Sequence, residues 1–435
     1  MVHSLKKLFK NDDQSLDIFF PAAMWLFSRL VIAIAILLIA PSLPASPDHA
    51  TATFSWKGFS AWDSIWYQKI VVLGYDYAVD HKEHSIAFFP LFPLVIRSVM
   101  SLGLPFEVAG VFVNNLAFLA ALMTLYLWVE ENHGKSAARW ATATLAWCPY
   151  SLYGTVIYTE GLFLLCSTSA LRAFDKKQYL WATLWGTLST ATRVSGAMLL
   201  PAFLFVAWKE RRGLKAYLTS LAAGSGLFLF SLYCQIKFGD PLAFLHAQKA
   251  WRPSFGFNWQ GWWEMLKQIV LGPTNIDSDT IEDPWYLLLF AAIICSGFLL
   301  WRFRLQLGFA KMRYGFYFLW MLLWLVTYQP LPDDPFSGDP LVKITLIFGG
   351  LLLLWFSRNQ IPLVAVVYGF CSYGLILNTG LTASVERYAY GIVPLSFAFG
   401  LLLARYPKWG YAIICFFSLP LVNLSIRFAQ KLWVA

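Results

Sequence analysis

From residue 18 to the C-terminal end, long apolar runs alternate with short connectors rich in Lys and Arg. A helix needs about 17 to 25 mainly apolar residues to cross about 30 Å of hydrocarbon, and only helices or closed barrels satisfy their backbone polar groups there. The pattern predicts an all-α polytopic membrane protein of about 13 transmembrane helices, forming one membrane domain over residues 1–435 with no soluble domain and no internal repeat. The first run, 18–40, is too long and starts too late for a cleaved signal peptide, so it reads as a retained span. Two long segments interrupt the alternation. The first, 41–107, contains WKGFSAWDSIWYQKIVVLGYDYAVDHKEHSIAFFPLFPLVIR (56–97), in which aromatic residues interleave with Asp63, Asp76, Asp80, His81, Glu83 and His84. The second, 238–284, carries Trp251, Trp259, Trp262 and Trp263.

Within these segments the periodicity predicts helices lying on the membrane surface rather than crossing it. One opens near Ser60 and sets Trp62, Ile65, Trp66, Ile70 and Leu73 on one stripe. A second covers 88–100, too short for a span and containing Pro90 and Pro93, and a third covers 258–270 with its Trp residues at headgroup level. Residues 139–173 and 179–208 read as hairpins with barely sufficient second arms, so tilted or broken helices are expected there. A Pro- and Asp-rich outer loop is expected at 330–340, and the last outer loop, 378–387, is expected to run directly into a span starting at Tyr388.

Composition supports the membrane class, with 58% hydrophobic and only 13% charged residues. The net charge of +9 does not indicate nucleic acid, because the cations sit in short clusters between spans instead of one patch. Their placement orients the chain. With the N-terminus inside, the inner connectors hold 19 basic and 7 acidic residues, against 13 basic and 17 acidic outside. Both long segments then lie on the outer face, as does the C-terminus. The six cysteines fall in or beside apolar runs without a CxxC pair, which disfavours disulfides and a cysteine metal site.

Several polar residues stand where apolar ones are expected. Asp63 shares a helix flank with Tyr67 at the membrane boundary, where a carboxylate meets both water-borne and lipid-borne reactants and suits a general base; the competing reading is a helix N-cap. Glu160 in VIYTEGLF and Arg193 in STATRVSG lie at outer turns of the two hairpins. Charges at membrane depth cost about 2.5 to 3.5 kcal/mol, so each faces a cavity, its partner, or an anionic headgroup. Arg387 in SVERYAYGIVP offers a planar fork suited to phosphate oxygens, or else anchors the interface in a pair with Glu386. His84 is a candidate substrate or metal ligand, but the DHKEH stretch lacks the spacing of a metal motif, and no metal site or cofactor is assigned. P-loop, GxGxxG, GxSxG and HExxH motifs are absent, which disfavours nucleotide hydrolysis, dinucleotide redox chemistry and zinc proteolysis.

AWDSIWYQKI (61–70), GYDY (74–77), HSIAFFPLFPLVIR (84–97), NN (114–115), PYSLYGTVIYTEGLF (149–163), ATRVSG (191–196) and ERYAYGIVP (386–394), in that order, resemble the PIG-V type mannosyltransferases, which include GPI mannosyltransferase 2. The resemblance implies a GT-C fold, an acidic catalytic residue in the first outer loop, and a polyprenyl (dolichyl) phosphate sugar as donor. Asp63 matches the family's Trp-Asp acid, Glu160 the acid after its Tyr-Thr, and Arg387 the basic residue before its late outer span. The late loops depart from the eukaryotic pattern, which leaves a GPI acceptor open. The expected activity is inverting transfer to a lipid-linked or glycan acceptor, with Asp63 as base and Glu160, Arg193, Arg387, His84 and Tyr67 binding substrates. The expected location is a bacterial inner membrane, or alternatively the ER, with the site on the periplasmic or luminal side. A lipid or sugar transporter is the main rival reading, since intramembrane Glu and Arg also mark transport paths, and a non-catalytic scaffold is a third.

Overall fold

The computed structural model describes residues 19–44, 51–80, 82–252, 255–277, 280–327 and 339–434. The N-terminal lysines, His81 and most of the expected loop at 330–340 lie outside them. The described residues are almost entirely helical. Six helices are long and apolar enough to cross a membrane: α1 (Phe19–Ser42), α4 (Phe106–Trp147), α8 (Leu214–Phe238), α10 (Pro284–Arg302), α12 (Pro340–Ser357) and α16 (Pro407–Ala429). The protein is therefore an integral membrane protein. Between these run α2 (Asp63–Leu73), α3 (Leu91–Met100), α5 (Glu160–Asp175), α6 (Tyr179–Thr192), α7 (Leu199–Lys209), α9 (Trp259–Leu271), α11 (Arg304–Thr327), α13 (Leu363–Leu377), α14 (Val385–Tyr390) and α15 (Val393–Arg405).

The expected hairpins appear with broken arms. Helix α4 kinks at Gly134, whose φ of 78° is open to glycine without strain, in the polar stretch that separates its long first arm from a short second one. Pro149 then stops the second arm, and a 3-10 turn over Pro149–Gly154 leads to α5. The carbonyls left open at that stop are satisfied by Arg29 of α1, which donates to Ala146 O (3.2 Å) and Ser151 O (2.8 Å) and also to Ser151 Oγ (2.9 Å). Helices stand where the three surface helices are expected, as α2, α3 and α9.

Packing is closest around α4. It lies along α5 and α15, and Gly400 of α15 meets Ala141 so tightly that an added Cβ would stand 2.5 Å from the Ala141 Cβ. Small residues allow such close approach where lipid removes the hydrophobic drive for association. At the C-terminal end of α5, Arg172 (2.6 Å) and Lys176 (2.7 Å) pair with Glu131 of α4.

Three expectations need correction. No span begins at Tyr388: α14 is a separate short helix, entered through Ser384 in the left-handed region (φ 58°) and broken from α15 near Gly391. Of the Trp residues of α9, Trp259 and Trp263 are exposed, whereas Trp262 is buried against Phe348 at 5.2 Å. On α2, Ile65 and Leu73 face outward, but Ile70 of the expected stripe is buried beside Tyr67 and Val71 because α3 packs over that face.

Candidate active site

The site assembles at helix ends. Asp63 is the first residue of α2, Glu160 the first of α5, Arg193 the extended residue that ends α6, and Arg387 sits in α14. Side chains at helix ends are free of the neighbouring-turn contacts that fix helix-interior residues, so four distant segments can aim them at one point.

Asn114 holds the Glu160 turn in place. From the buried face of α4 its Nδ2 donates to Tyr153 O (2.7 Å) and Val156 O (2.6 Å), and its Oδ1 accepts from the Gly161 amide (2.8 Å). Gly161 is required by this approach, because a Cβ there would lie 2.4 Å from both Asn114 oxygens. The same turn reaches the first long segment, 41–107. Ile157 N donates to Phe59 O (3.1 Å), and Tyr158 Oη accepts from the Asp63 amide (3.3 Å). Trp62, just before Asp63, has φ 55° and ψ −115°, a conformation costly for a bulky side chain and typical of backbones over-determined at functional sites.

Arg387 lies at the centre. Its Nη1 donates to Asp63 Oδ2 at 2.9 Å, and its Nε stands 3.7 Å from Glu160 Oε1. Glu160 is buried and forms an ion pair with Arg193 Nη1. The Asp63 carboxylate remains about a third exposed, whereas Arg387 is buried. Burial opposes the charge on Arg387, but Asp63, Tyr388 and Glu160 outweigh it and hold the guanidinium firmly protonated. The helix-capping reading of Asp63 does not match this geometry, since its side chain makes no cap and turns to Arg387 instead. Nor does Arg387 pair with Glu386, which faces the other way and approaches Lys343 of α12 at 3.5 Å.

Two expected site residues behave differently. Tyr67 is buried edge-on against Phe88 and Phe92 (5.3 and 5.1 Å), and burial together with the Asp63 and Glu160 charges raises its phenol pKa, so it stays neutral. His84 joins none of the four charged residues. Its ring nitrogens contact Asp76 Oδ2 (3.1 Å) and Asp80 Oδ1 (2.7 Å), in a cluster with Lys69 and Ser85. No group of three or more His, Cys, Asp or Glu among the described residues is arranged to hold a metal.

Sequence reasoning missed Arg252. Its Nη2 donates to Tyr388 Oη at 2.8 Å, and Arg252, Arg193 and Arg387 all lie 5.2–5.4 Å from the Tyr388 ring centre. Burial alone would raise the Tyr388 phenol; Arg252, Arg387 and Arg193 outweigh it and take its pKa down to about 8. The available signal was a lone cation beside Trp251 in an outer loop. Lys343, a charge in the first turn of an apolar run, was also legible and was passed over.

A cavity of about 820 Å³ lies on the opposite side of α14, lined by Lys343, Glu386 and apolar residues of α11, α12, α15 and α16. Successive residues of α14 thus serve two spaces, Glu386 the cavity and Arg387 the polar cluster.

No curated protein sequence matches the chain. Its structure is similar to the oligosaccharyltransferase of Archaeoglobus fulgidus, with a TM-score of 0.47 and 13% identity over 96% of this chain and 57% of that one. It is also similar to ArnT from Cupriavidus metallidurans bound to undecaprenyl phosphate, with a TM-score of 0.49 and 10% identity over 91% and 62% of the two chains. The chain spans less than two thirds of the length of either. The sequence pattern of the family described as Mannosyltransferase (PIG-V) matches residues 23–221, the stretch that contains Asp63, Glu160 and Arg193.

Proposed function

We propose that the protein is an inverting glycosyltransferase of the GT-C class that moves a sugar, mannose by its family, from a polyprenyl phosphate to a lipid-linked or glycan acceptor. The observation that carries this reading is the contact between a part-exposed carboxylate, Asp63, and a buried guanidinium, Arg387, at the end of a surface helix. An acceptor hydroxyl beside Asp63 attacks the anomeric carbon from the face opposite the phosphate. The new C–O bond forms as the bond to the phosphate oxygen breaks, the hydroxyl proton passes to Asp63, and the polyprenyl phosphate leaves as a monoester. One carboxylate suffices, because a phosphate leaves without the general acid a glycosidase needs. Arg387 and Arg193 neutralise the departing phosphate, and Glu160 holds Arg193 in position. Without substrate Arg387 is engaged by Asp63; a phosphate that takes its hydrogen bonds releases the carboxylate to act as base.

The orientation of the basic connectors supports a site on the periplasmic face of a bacterial inner membrane, with the ER lumen as the eukaryotic equivalent. The rival transporter reading leaves a part-exposed carboxylate and the family match without a role. Purified protein should consume a radiolabelled polyprenyl phosphate mannose in detergent, where no gradient exists. Asp63→Asn should lower turnover by about 10²–10⁴-fold, the usual range for a general base, with expression and monodispersity retained. Turnover within tenfold of wild type in that variant would refute the assignment.

A further inference from the structure

Arg252 comes from the second long outer loop, well away in sequence from every residue assigned above. On one side of it, Trp251 packs edge-on against Trp66 of α2 (5.6 Å) and Phe88 before α3 (5.8 Å). On the other, Gly256 exchanges backbone hydrogen bonds with the last outer loop, donating to Asn378 O (3.1 Å) and accepting from the Gly380 amide (2.9 Å). The loop therefore straps the segment that carries Asp63 to the one that leads into Arg387. Arg252 has no carboxylate partner among the described residues; its hydrogen bond goes to Tyr388, whose hydroxyl also lies 3.4 Å from Arg387 Nη2.

The charges of the cluster do not balance. Asp63 and Glu160 supply two negative charges, and Arg193, Arg387 and Arg252 three positive ones. With Tyr388 protonated at neutral pH, one positive charge is left over in a largely buried site. A phosphodiester, as in a sugar linked through phosphate to a lipid, carries one negative charge and cancels it. During transfer the ester becomes a dianion while Asp63 takes up the acceptor proton, and the cluster stays neutral through the step. Two arginines alone would leave the donor complex with a net negative charge.

We propose that Arg252 is the third phosphate-binding residue of this site, brought to it by the second outer loop and parked on Tyr388 until a lipid phosphate arrives. The proposal rests on the glycosyltransferase reading above and adds the residue that makes the site selective for a phosphorylated over a neutral lipid. Arg252 meets more negative charge in the product than in the donor, so its loss weakens product binding more than donor binding.

Binding of a polyprenyl monophosphate and of the corresponding polyprenol to the full-length purified protein tests this without turnover. Wild type should prefer the phosphate by tenfold or more. Arg252→Gln should lose about tenfold in phosphate affinity with polyprenol binding unchanged, and Arg252→Lys should recover most of it. In turnover, product inhibition by the monophosphate should weaken more than the donor KM rises in R252Q, a split that a merely structural contact would not produce. If R252Q binds the monophosphate as wild type does while Arg387→Gln does not, Arg252 is not a ligand and the proposal fails. If wild type itself does not distinguish phosphate from alcohol, the donor assignment fails.

Discussion

Asn114 offers the sharpest test of how the fold builds the site. Its amide makes three buried hydrogen bonds to the turn that carries Glu160. In Asn114→Ala the Val156 carbonyl keeps a second donor, the Tyr158 amide at 2.7 Å, so the groups left open are Tyr153 O and the Gly161 amide. Each stranded buried group costs about 1–3 kcal/mol, giving about 2–6 kcal/mol in all. Asn114→Asp separates hydrogen bonding from shape. It preserves volume and the acceptor for Gly161 but turns a carboxylate oxygen towards two carbonyls, so it should be less stable than the alanine variant. Asn115→Ala is the control. Its Nδ2 bonds to Val111 O within its own helix and, at 3.2 Å, to Thr155 O, both only part-buried, and its loss should cost about 0.5–1.5 kcal/mol. Inactivation rates of detergent-solubilised protein at fixed temperature are the appropriate readout, since large membrane proteins unfold irreversibly. The rates should rank wild type, N115A, N114A, N114D from slowest to fastest. An N114D protein as long-lived as wild type would show that the amide does not hold the turn.

Three other outcomes follow from the electrostatics. Removing one half of the buried Glu160–Arg193 pair, as in Arg193→Met, should destabilise by about 3–5 kcal/mol, whereas Arg193→Met with Glu160→Gln should recover much of the stability and none of the turnover; equal stability of single and double variants would contradict the pairing. Tyr388 ionises above pH about 8, and its phenolate, beside Asp63, then competes with phosphate for Arg252, Arg387 and Arg193. Affinity for polyprenyl monophosphate should therefore fall as pH rises through 8, and Tyr388→Phe should flatten the profile; the folded-state effect runs the other way, with stabilisation appearing only as pH climbs from about 8 towards the ordinary phenol value near 10. Burial opposes protonation of His84, but Asp80 and Asp76 raise its pKa above the usual value. Its support for the loop is thus complete below pH about 6.5 and lost as pH rises through the raised value. Proteolysis within 76–85 should quicken over that window in wild type but not in His84→Gln, and a pH-independent wild-type rate would overturn the assignment.

What could be read from the chain follows a physical division. Glu160 and Arg193 stood out because a charge in an apolar run has few places to go, and the two are indeed paired. Asp63 and Arg387 stood out by pattern, although the partners considered for them, a helix end and Glu386, were local ones. Their actual contact joins residues 324 positions apart, and no helical or strand periodicity encodes such a pairing. Arg252 was missed for the same reason, since in a loop an arginine beside a tryptophan looks like any interfacial anchor. His84 differs in the opposite sense: its chemistry invites a role in the site, but Asp80 and Asp76 are close enough in sequence to take both ring nitrogens. Thirteen spans were expected, and six of the helices meet the length and composition of a crossing; the short arms of the hairpins do not, which is itself informative.

Those short helices are the ones that carry the site. Glu160 begins α5, of 16 residues; Arg193 ends α6, of 14; and Arg387 precedes α15, of 13. At 1.5 Å per residue they rise about 20–24 Å, short of the roughly 30 Å of hydrocarbon that α1 or α16 can cross. If their inner ends are fixed at the inner interface by the Arg172, Lys176 and Arg405 clusters, their outer ends stop several ångströms below the outer one. Ends stopping there would form a recess, in which buried charges are reached from the headgroup layer without crossing the bilayer. A lipid phosphate entering this recess would leave its chain in the hydrocarbon, while the acceptor hydroxyl arrives from the aqueous side past Asp63, the most exposed of the four residues. Lengthening α6 by one turn before Arg193 should therefore abolish transfer even if the helix remains inserted, because it keeps the guanidinium on the same face but lifts it about 5 Å away from Glu160. Retained turnover in that insertion variant would mean that the short helices merely reflect local sequence and that the recess has no part in the chemistry.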